Sequence, residues 1–166
     1  DEAKSAVMRE DLKLFLRESE TVGGLPSEAA SLLDNAIGFH TATIADIMKK
    51  KDEVRQISAA LTVREAMAQC LRDGISKYPV CEAAGGKWVG VFSSYHAIFT
   101  FREEEWGRRT VAECMLPVIG IPASTPIGEA LKRTKGADAA LFAVLDPDGE
   151  PCGIFTSYDI ARKLFG

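Results

Sequence analysis

The stretch "GIFTSYDIARKLFG" at residues 153–166 decides the fold, because "GVFSSYHAIFTF" at residues 90–101 repeats its pattern. In both copies a glycine and two apolar residues are followed by a hydroxyl residue. Three positions later the copies differ, since one has Asp159 and the other has His96. The pattern is typical of a strand that runs directly into a helix, and its repetition indicates a duplicated unit.

Two further matches extend the repeat. "TIADIM" at residues 43–48 matches "TVAECM" at residues 110–115, and "ISAALTVREAM" at residues 57–67 matches "IPASTPIGEAL" at residues 121–131. The matches keep the same order and an offset of about 65 residues, as expected for tandem units of one fold.

The repeat predicts three parts: an N-terminal helical segment at 1–42, a first repeat at 43–106 and a second repeat at 107–166. Within each repeat, apolar periodicity and turn residues predict the order strand, helix, strand, strand, helix. Thr62 and Glu65 predict a capping box at the first of these helices. The predicted fold class is α+β, with two helices before the pair of repeats.

The apolar pattern also predicts which side chains form the core. One apolar face is predicted for the first helix: Val63, Ala66, Met67, Cys70 and Leu71. The recurring aromatic residues of the two junctions are also expected in the core: Phe92, Tyr95, Phe155 and Tyr158. The charged stretch at 101–110 is interpreted as a solvated linker, and the lysines at 49–51 as a solvated turn.

The composition indicates a chain that folds in water. Its 166 residues are 46% apolar and 27% charged, and no apolar run is long enough to span a bilayer, so we expect no direct membrane insertion. The net charge of −4 does not indicate the positively charged surface that binds nucleic acid, which excludes that class of partner. The four cysteines lack C-x-x-C spacing, and we expect reduced thiols.

The repeated junction has two physical interpretations. A hydroxyl followed three residues later by a carboxylate can form a capping box, as Thr156 and Asp159 would do. The same groups, placed beside the free amides of a helix N-terminus, can also hold a ribose and a phosphate. Spacing alone leaves capping and ligand binding equally open.

The duplicated unit resembles the CBS-domain pair, or Bateman module, whose repeats follow this order of elements. In that family the last strand carries a glycine, two apolar residues, Thr or Ser, two variable residues and Asp. Residues 153–159 match this pattern in full, whereas residues 90–96 match it up to His96, where the Asp is missing. The resemblance implies that the second repeat has the competent site for an adenine nucleotide and that the first is altered.

By this resemblance, Thr156 and Asp159 would hold the ribose and nearby phosphate, and the adenine would lie against Ile121 and Ala140. The implied ligand is AMP, ADP or ATP, with or without Mg²⁺, and Lys77 could face its phosphates. The implied binding set is Lys77, Ile121, Ala140, Thr156, Ser157 and Asp159, with Ser93 and His96 as weaker members. We expect no catalytic residue and no protein metal site.

A second resemblance covers nearly the whole chain. The segment from "REDLKLFL" at 9–16 to "TIADIM" looks like the paired helices that precede the CBS pair in the haemolysin-like magnesium and cobalt efflux (CorC/CNNM) family. "SKYPV" at 76–80 fits that family, whereas "IMKKK" at 47–51 lacks its usual proline. The resemblance implies a homodimeric cytosolic module at the cytoplasmic face of the membrane, attached to a transmembrane transporter domain of the same protein. We therefore expect the chain to be a fragment.

Two functions follow from these observations. The first is a regulatory module that binds an adenine nucleotide and controls the attached magnesium or cobalt transporter. The alternative is a purely structural dimerisation module without a ligand. An enzyme is not expected, because the sequence has no phosphate-binding Walker loop, no nucleophile paired with a histidine and no metal cluster.

Overall fold

The computed structural model describes Pro26 and residues 29–30, 33, 36–38, 41–82, 86–136 and 141–165. The chain divides into two compact units, one of residues 48–123 and 136–156 and one of residues 1–47, 124–135 and 157–166. The first predicted N-terminal helix lies outside the described residues, and the described positions at 29–41 are helical. These units are defined by contacts between residues and not by the sequence repeats. The predicted domain boundaries at 42 and 106 therefore stay a prediction.

The element order is the predicted one in both repeats. The strands are β1 (Lys49–Lys50), β2 (Ile57–Ser58), β3 (Lys77–Cys81), β4 (Trp88–Ser93), β5 (Gly120–Pro122), β6 (Leu141–Leu145) and β7 (Pro151–Thr156). The helices are α1 (Val63–Asp73), α2 (Ser94–Thr100), α3 (Ile127–Thr134) and α4 (Ser157–Phe165). Strand, helix, strand, strand, helix therefore occurs twice, as β2-α1-β3-β4-α2 and β5-α3-β6-β7-α4, and the α+β fold class is confirmed.

The strands form two sheets. The first has the order β2-β3-β4, with β2 and β3 parallel and β3 and β4 antiparallel. The second has the order β1-β7-β6-β5, in which β5 and β6 are parallel and β6 and β7 antiparallel. Each repeat therefore supplies one hairpin and one parallel strand.

Each repeat also adds a short segment to the sheet of the other. β1 belongs to the first repeat but pairs with β7, with Lys49 opposite Ile154 and Lys50 opposite Gly153. In the other direction, Leu116 of the second repeat exchanges two backbone hydrogen bonds with Val91 of β4, at 2.8 and 2.9 Å. We call this arrangement the reciprocal edge exchange.

Among the described residues, two apolar clusters lie in the unit that contains the sheets. The larger one packs α1 against the first sheet, and its buried members are Ile57, Val63, Ala66, Cys70, Tyr78, Val80, Phe92, Ala97, Val111 and Cys114. The smaller one joins Cys81 and Trp88 of the first sheet to Ala143 of the second. The two sheets therefore share apolar contacts, as expected for paired repeats.

The ends of α1 are those the sequence predicts. The Thr62 amide donates to Glu65 Oε2 at 2.8 Å, and the Glu65 amide donates to Thr62 Oγ1 at 3.2 Å, which completes the capping box. Gly74 ends the helix with φ of 65°, a left-handed conformation that favours glycine.

Two aromatic side chains expected in the core are exposed. Phe92 and Phe155 are fully buried as predicted, but Tyr95 is 64% exposed and Tyr158 is 71% exposed. Ala97 and Ile160 are buried in these helices, and a residue two positions earlier lies on the opposite side of a helix.

Leu71 on α1 is also exposed, at 84%. Cys70 occupies the buried face there, and the next residue points about 100° away from it. The predicted apolar face of α1 was therefore one residue too wide.

The stretch between the repeats is more ordered than the predicted solvated linker. Its charged side chains are largely exposed, but Trp106 packs against the larger cluster and donates from Nε1 to the Phe101 carbonyl at 3.2 Å. The carbonyls of Trp106 and Arg109 accept the first two amides of α1 at 3.0 and 2.8 Å. The linker therefore satisfies backbone donors that a helix N-terminus leaves free.

Candidate functional site

The second repeat places its hydroxyl residue at the end of a strand. β7 ends at Thr156 and α4 starts at Ser157, with no residue between them. Thr156 lies opposite Leu141 of β6 and is half-buried. Ser157 is exposed and Asp159, the third residue of α4, is half-buried. The polar groups predicted to bind a ribose therefore all retain some surface.

The glycine of this junction lies where β1 comes close to β7. A Cβ at position 153 would lie 2.6 Å from the Lys49 carbonyl oxygen and 2.9 Å from Met48 Sδ. In the first repeat, a Cβ at position 90 would lie 2.7 Å from Met115 Sδ. Gly153 therefore leaves room for β1 of the reciprocal edge exchange.

The predicted adenine contacts are only partly described. Ile121 lies in β5 opposite Val144 and is 3% exposed, so its side chain offers little surface in this conformation. Ala140 lies outside the described residues. The adenine position therefore stays a prediction.

The first repeat uses its junction residues to start a helix. Ser93 is buried, and its Oγ accepts the His96 amide at 3.4 Å. The Ser94 amide donates to the Ser76 carbonyl at 2.9 Å. His96 itself is exposed on α2. Capping therefore accounts for the hydroxyl here.

Lys77 lies beside the first junction. It starts β3 directly opposite Ser93, and it is half-buried. In the second sheet the residue opposite Thr156 is Leu141. The structure thus brings Lys77 together with Ser93, and the prediction that it serves a nucleotide at Thr156 stays open.

Sequence reasoning missed two capping boxes in the repeated "TIADIM" and "TVAECM" elements. The Thr43 amide donates to Asp46 Oδ2 at 2.8 Å, and the Thr110 amide donates to Glu113 Oε2 at 2.7 Å. The Thr110 amide, helped by Arg109, also holds the pKa of Glu113 below its usual value. The signal was a threonine followed three residues later by an acid.

The four cysteines are unpaired, and Cys70, Cys81 and Cys114 are buried. Burial raises the pKa of Cys114 to about 11 and also raises that of Cys70. Within the part of the chain that the structure describes, no three His, Cys, Asp or Glu side chains are placed to share a metal ion. The same part contains no helix with the length and apolar composition needed to cross a bilayer.

Known proteins share this fold. The family model of the CBS domain matches residues 111–166, which include the β7–α4 junction. The CBS domain of a bacterial CNNM/CorC family Mg²⁺ transporter superposes with a TM-score of 0.82 at 23% identity, over 95% of each chain. The chain has the fold of a pair of CBS domains. This likeness covers both repeats of the CBS pair, and the recognition of the Bateman module is confirmed.

Two of the similar structures contain a nucleotide. The CBS domain of the bacterial CNNM/CorC family Mg²⁺ transporter in complex with ATP has a TM-score of 0.74 at 21% identity, covering 81% of this CBS pair and 95% of that chain. CBSX2 in complex with AMP has a TM-score of 0.59 at 21% identity, covering 72% and 93% of the two chains.

The curated relatives of this CBS pair are longer proteins. UPF0053 protein MG146 of Mycoplasma genitalium is 27% identical over 160 residues, which are 96% of this chain and 38% of that protein. UPF0053 protein YhdT of Bacillus subtilis is 21% identical over 95% of this chain and 35% of that protein. The chain therefore spans little more than a third of these relatives.

Proposed function

We propose that this CBS pair is a regulatory module that binds an adenine nucleotide at the β7–α4 junction and controls an attached ion transporter. The observation that carries the proposal is the complete junction pattern at residues 153–159, in a chain that shares its fold with CBS domains solved with ATP and AMP. The first junction lacks the aspartate, so we assign the ligand to the second repeat.

Each residue of the proposed site has a chemical role. Asp159 is a carboxylate acceptor for the two hydroxyls of a ribose, and Thr156 is a neutral donor and acceptor beside it. The first amides of α4 and the positive end of its dipole favour a phosphate group near Ser157. Thr156, Ser157 and Asp159 are not fully buried, which supports a role in contacting a ligand.

The phosphates of ATP or ADP need positive charge, and the residue opposite Thr156 is the apolar Leu141. We assign the positive charge that balances these phosphates to Mg²⁺ or to Lys77. AMP, with a single phosphate, needs the least positive charge. Binding of any of these nucleotides changes the transporter only if the nucleotide prefers one arrangement of the CBS pair. The proposed role requires ligand binding and no catalysis.

The attached transporter is part of the proposal. The relatives that the chain matches are more than twice its length, which leaves room for a further domain in such proteins. We propose that the CBS pair lies at the cytoplasmic face of the membrane, next to a transmembrane domain that moves magnesium or cobalt ions.

We also propose that the CBS pair is a homodimer. α2 exposes three large apolar side chains: Tyr95, Ile98 and Phe99. Phe99 is 89% exposed, and a contiguous apolar surface on one helix is typical of a protein interface. A second copy of the chain would cover this surface.

One observation favours the alternative, a structural dimerisation module without a ligand. Ser93 caps α2, so the hydroxyl of the repeated pattern can be explained in that repeat without any nucleotide. Capping by Thr156 would explain the second copy in the same way.

Isothermal titration calorimetry with ATP, ADP and AMP separates the two functions. We expect saturable binding of at least one nucleotide below millimolar concentration, measured with and without Mg²⁺. Absence of both heat and thermal shift with all three nucleotides at millimolar concentration would leave only the structural module.

A further inference from the structure

Two short segments that are distant in sequence meet at the start of α3. The Ile44 amide donates to the Thr125 carbonyl at 2.9 Å, and the Ile127 amide donates to the Ala42 carbonyl at 3.1 Å. Both isoleucine side chains are fully buried, so apolar packing supports the two hydrogen bonds. We call this pair of segments the α3 clamp: residues 42–44 and residues 125–127.

The same arrangement recurs at the start of α1. The Val111 amide donates to the Leu61 carbonyl at 2.8 Å, and the Val63 amide donates to the Arg109 carbonyl at 2.8 Å. Both valine side chains are fully buried. We call this pair of segments the α1 clamp: residues 61–63 and residues 109–111. The α3 clamp therefore joins the start of the first repeat to the second, and the α1 clamp joins the start of the second repeat to the first.

The two helices differ in how much they need their clamps. Thr62 caps α1 with its side chain, since its Oγ1 accepts the Glu65 amide at 3.2 Å. Pro126 occupies the capping position of α3, and a proline side chain has no hydrogen-bond acceptor. The start of α3 therefore depends on the carbonyl of Ala42, which belongs to the N-terminal segment.

The α3 clamp belongs to the same compact unit as the helix that carries the proposed ribose acceptor. This unit contains residues 1–47, 124–135 and 157–166, and within it α3 packs against α4. Asp159 lies in the first turn of α4, and Ile160, next to it, is 3% exposed. A change in the stability of α4 can therefore reach the α3 clamp without leaving this unit.

The α1 clamp belongs to the other compact unit, together with both sheets. It packs in the larger apolar cluster, where Val63 and Val111 are buried with Ala97 of α2. Its helices belong to the repeat whose junction has His96 in place of the aspartate. The two clamps are therefore matched in geometry, but only the α3 clamp shares a unit with Asp159.

We propose that the α3 clamp couples the N-terminal segment to α4, so that a nucleotide held by Asp159 stabilises the attachment of residues 42–44. The proposal rests on the nucleotide site assigned to the β7–α4 junction and adds the route by which its occupancy reaches the chain before the repeats. The N-terminal segment is continuous with the first repeat, yet it responds to the second. By linkage, a force that separates residues 42–44 from α3 also weakens nucleotide binding.

Amide hydrogen exchange followed by NMR tests the coupling in the absence of nucleotide. Ile160→Val removes one methylene from the buried side of α4, and we expect the isoleucine amides of the α3 clamp to exchange about fivefold faster. The valine amides of the α1 clamp should change by less than about twofold. Ala97→Gly, at the matching buried position of α2, should give the opposite result: about fivefold faster exchange in the α1 clamp and little change in the α3 clamp.

A second arm adds the nucleotide that binds best in calorimetry, chosen from ATP, ADP and AMP. At about ten times its Kd, exchange of the α3 clamp amides should slow about tenfold, because opening of their unit then has to release the ligand. The α1 clamp amides should slow less. Asp159→Ala should abolish the slowing at the same nucleotide concentration, whereas His96→Ala should retain it.

Three results would overturn the proposal. The first is unchanged exchange of the α3 clamp amides in Ile160→Val, and the second is equal acceleration of both clamps, which would mean that the chain opens as a whole. The third is a nucleotide that binds in calorimetry without slowing exchange in the α3 clamp, which would leave the proposed function intact. Failure of all three nucleotides to bind would overturn the proposed function, and Ile160→Val would still decide whether the α3 clamp follows α4.

Discussion

The carbonyl oxygen of Lys49 lies 2.6 Å from the position that a Cβ at Gly153 would occupy. Real Cβ atoms do not approach a backbone oxygen so closely, and backbone within a paired strand has little freedom to move away. The glycine of the junction is therefore required by the fold, whether or not a nucleotide binds beside it.

Gly153→Ala should destabilise the CBS pair by about 1–3 kcal/mol, the usual range for overpacking. Gly90→Ala should cost less, because its nearest neighbour is the flexible side chain of Met115, and Gly107→Ala meets nothing closer than 3.6 Å. Urea unfolding followed by circular dichroism measures all three. Equal stability of Gly153→Ala and Gly107→Ala would show that β1 can separate from β7 without lowering the free energy of unfolding.

Asp159→Ala should abolish binding of adenine nucleotides, whereas His96→Ala should have little effect. The first change removes the proposed ribose acceptor, and the second alters an exposed residue of a junction that lacks the aspartate. Calorimetry with the nucleotide that binds the wild type best is the measurement. Equal loss of affinity in both variants would contradict the assignment of the ligand to the second repeat.

The hydrogen bond between Tyr78 and Asp73 should make the stability of the fold depend on pH under acidic conditions. The fully buried Tyr78 donates its hydroxyl to Asp73 Oδ2 at 2.7 Å, and this bond, helped by Arg55, holds the pKa of Asp73 below its usual value of 3.8. Burial and the same carboxylate raise the pKa of Tyr78. A depressed carboxyl pKa stabilises the fold above the unfolded value, and that stabilisation disappears as the pH falls through the folded value.

Tyr78→Phe should therefore lower the Tm at neutral pH. Between about pH 5 and pH 3, the Tm of the variant should fall less than that of the wild type. Thermal unfolding across this range measures the effect. The exposed Tyr158→Phe provides a matched control that should change neither quantity. Parallel acid curves for Tyr78→Phe and the wild type would show that the hydrogen bond does not shift Asp73.

Cys114 should resist alkylation until the pH is strongly alkaline. Burial, with a smaller effect of Glu113, raises its pKa to about 11, so about one thiol in a thousand is ionised near pH 8. We expect iodoacetamide at about pH 8 to modify Cys152 and to spare Cys114 in the folded protein, and to modify both in urea. Native labelling of Cys114 at the rate of Cys152 would mean that the larger apolar cluster opens readily.

Phe99→Glu should weaken the proposed homodimer. A carboxylate on the exposed apolar surface of α2 would have to be buried without a partner in a dimer, which costs several kcal/mol. Sedimentation velocity over a range of concentrations measures the monomer fraction. Lys135→Glu, an exposed change elsewhere, should leave the fraction unchanged, and an unchanged dimer in Phe99→Glu would place the interface on another surface.

The sequence predicted the features that local signals encode. The capping box of Thr62 and Glu65, the left-handed Gly74 and the two hairpins depend on residues close together in the chain, and all are present. The repeat itself predicted the order of elements, because a duplicated sequence forms the same unit twice.

Features that depend on distant parts of the chain were not predictable. Periodicity defines an apolar face but not its width, so Leu71 and Tyr95 were assigned to the core although they are exposed. The pairing of Lys50 with Gly153 joins residues about a hundred positions apart, and no local pattern encodes it. The adenine contacts depend in part on Ala140, which lies outside the described residues, and they stay a prediction.

The reciprocal edge exchange has a consequence for how this chain can be divided. β1 completes a sheet built from the second repeat, and Leu116 completes one built from the first. A cut in the stretch between the repeats would give two fragments that each carry a segment that pairs with the sheet of the other. Such fragments should fold poorly alone and reconstitute on mixing, so the CBS pair is suited to use as a split reporter.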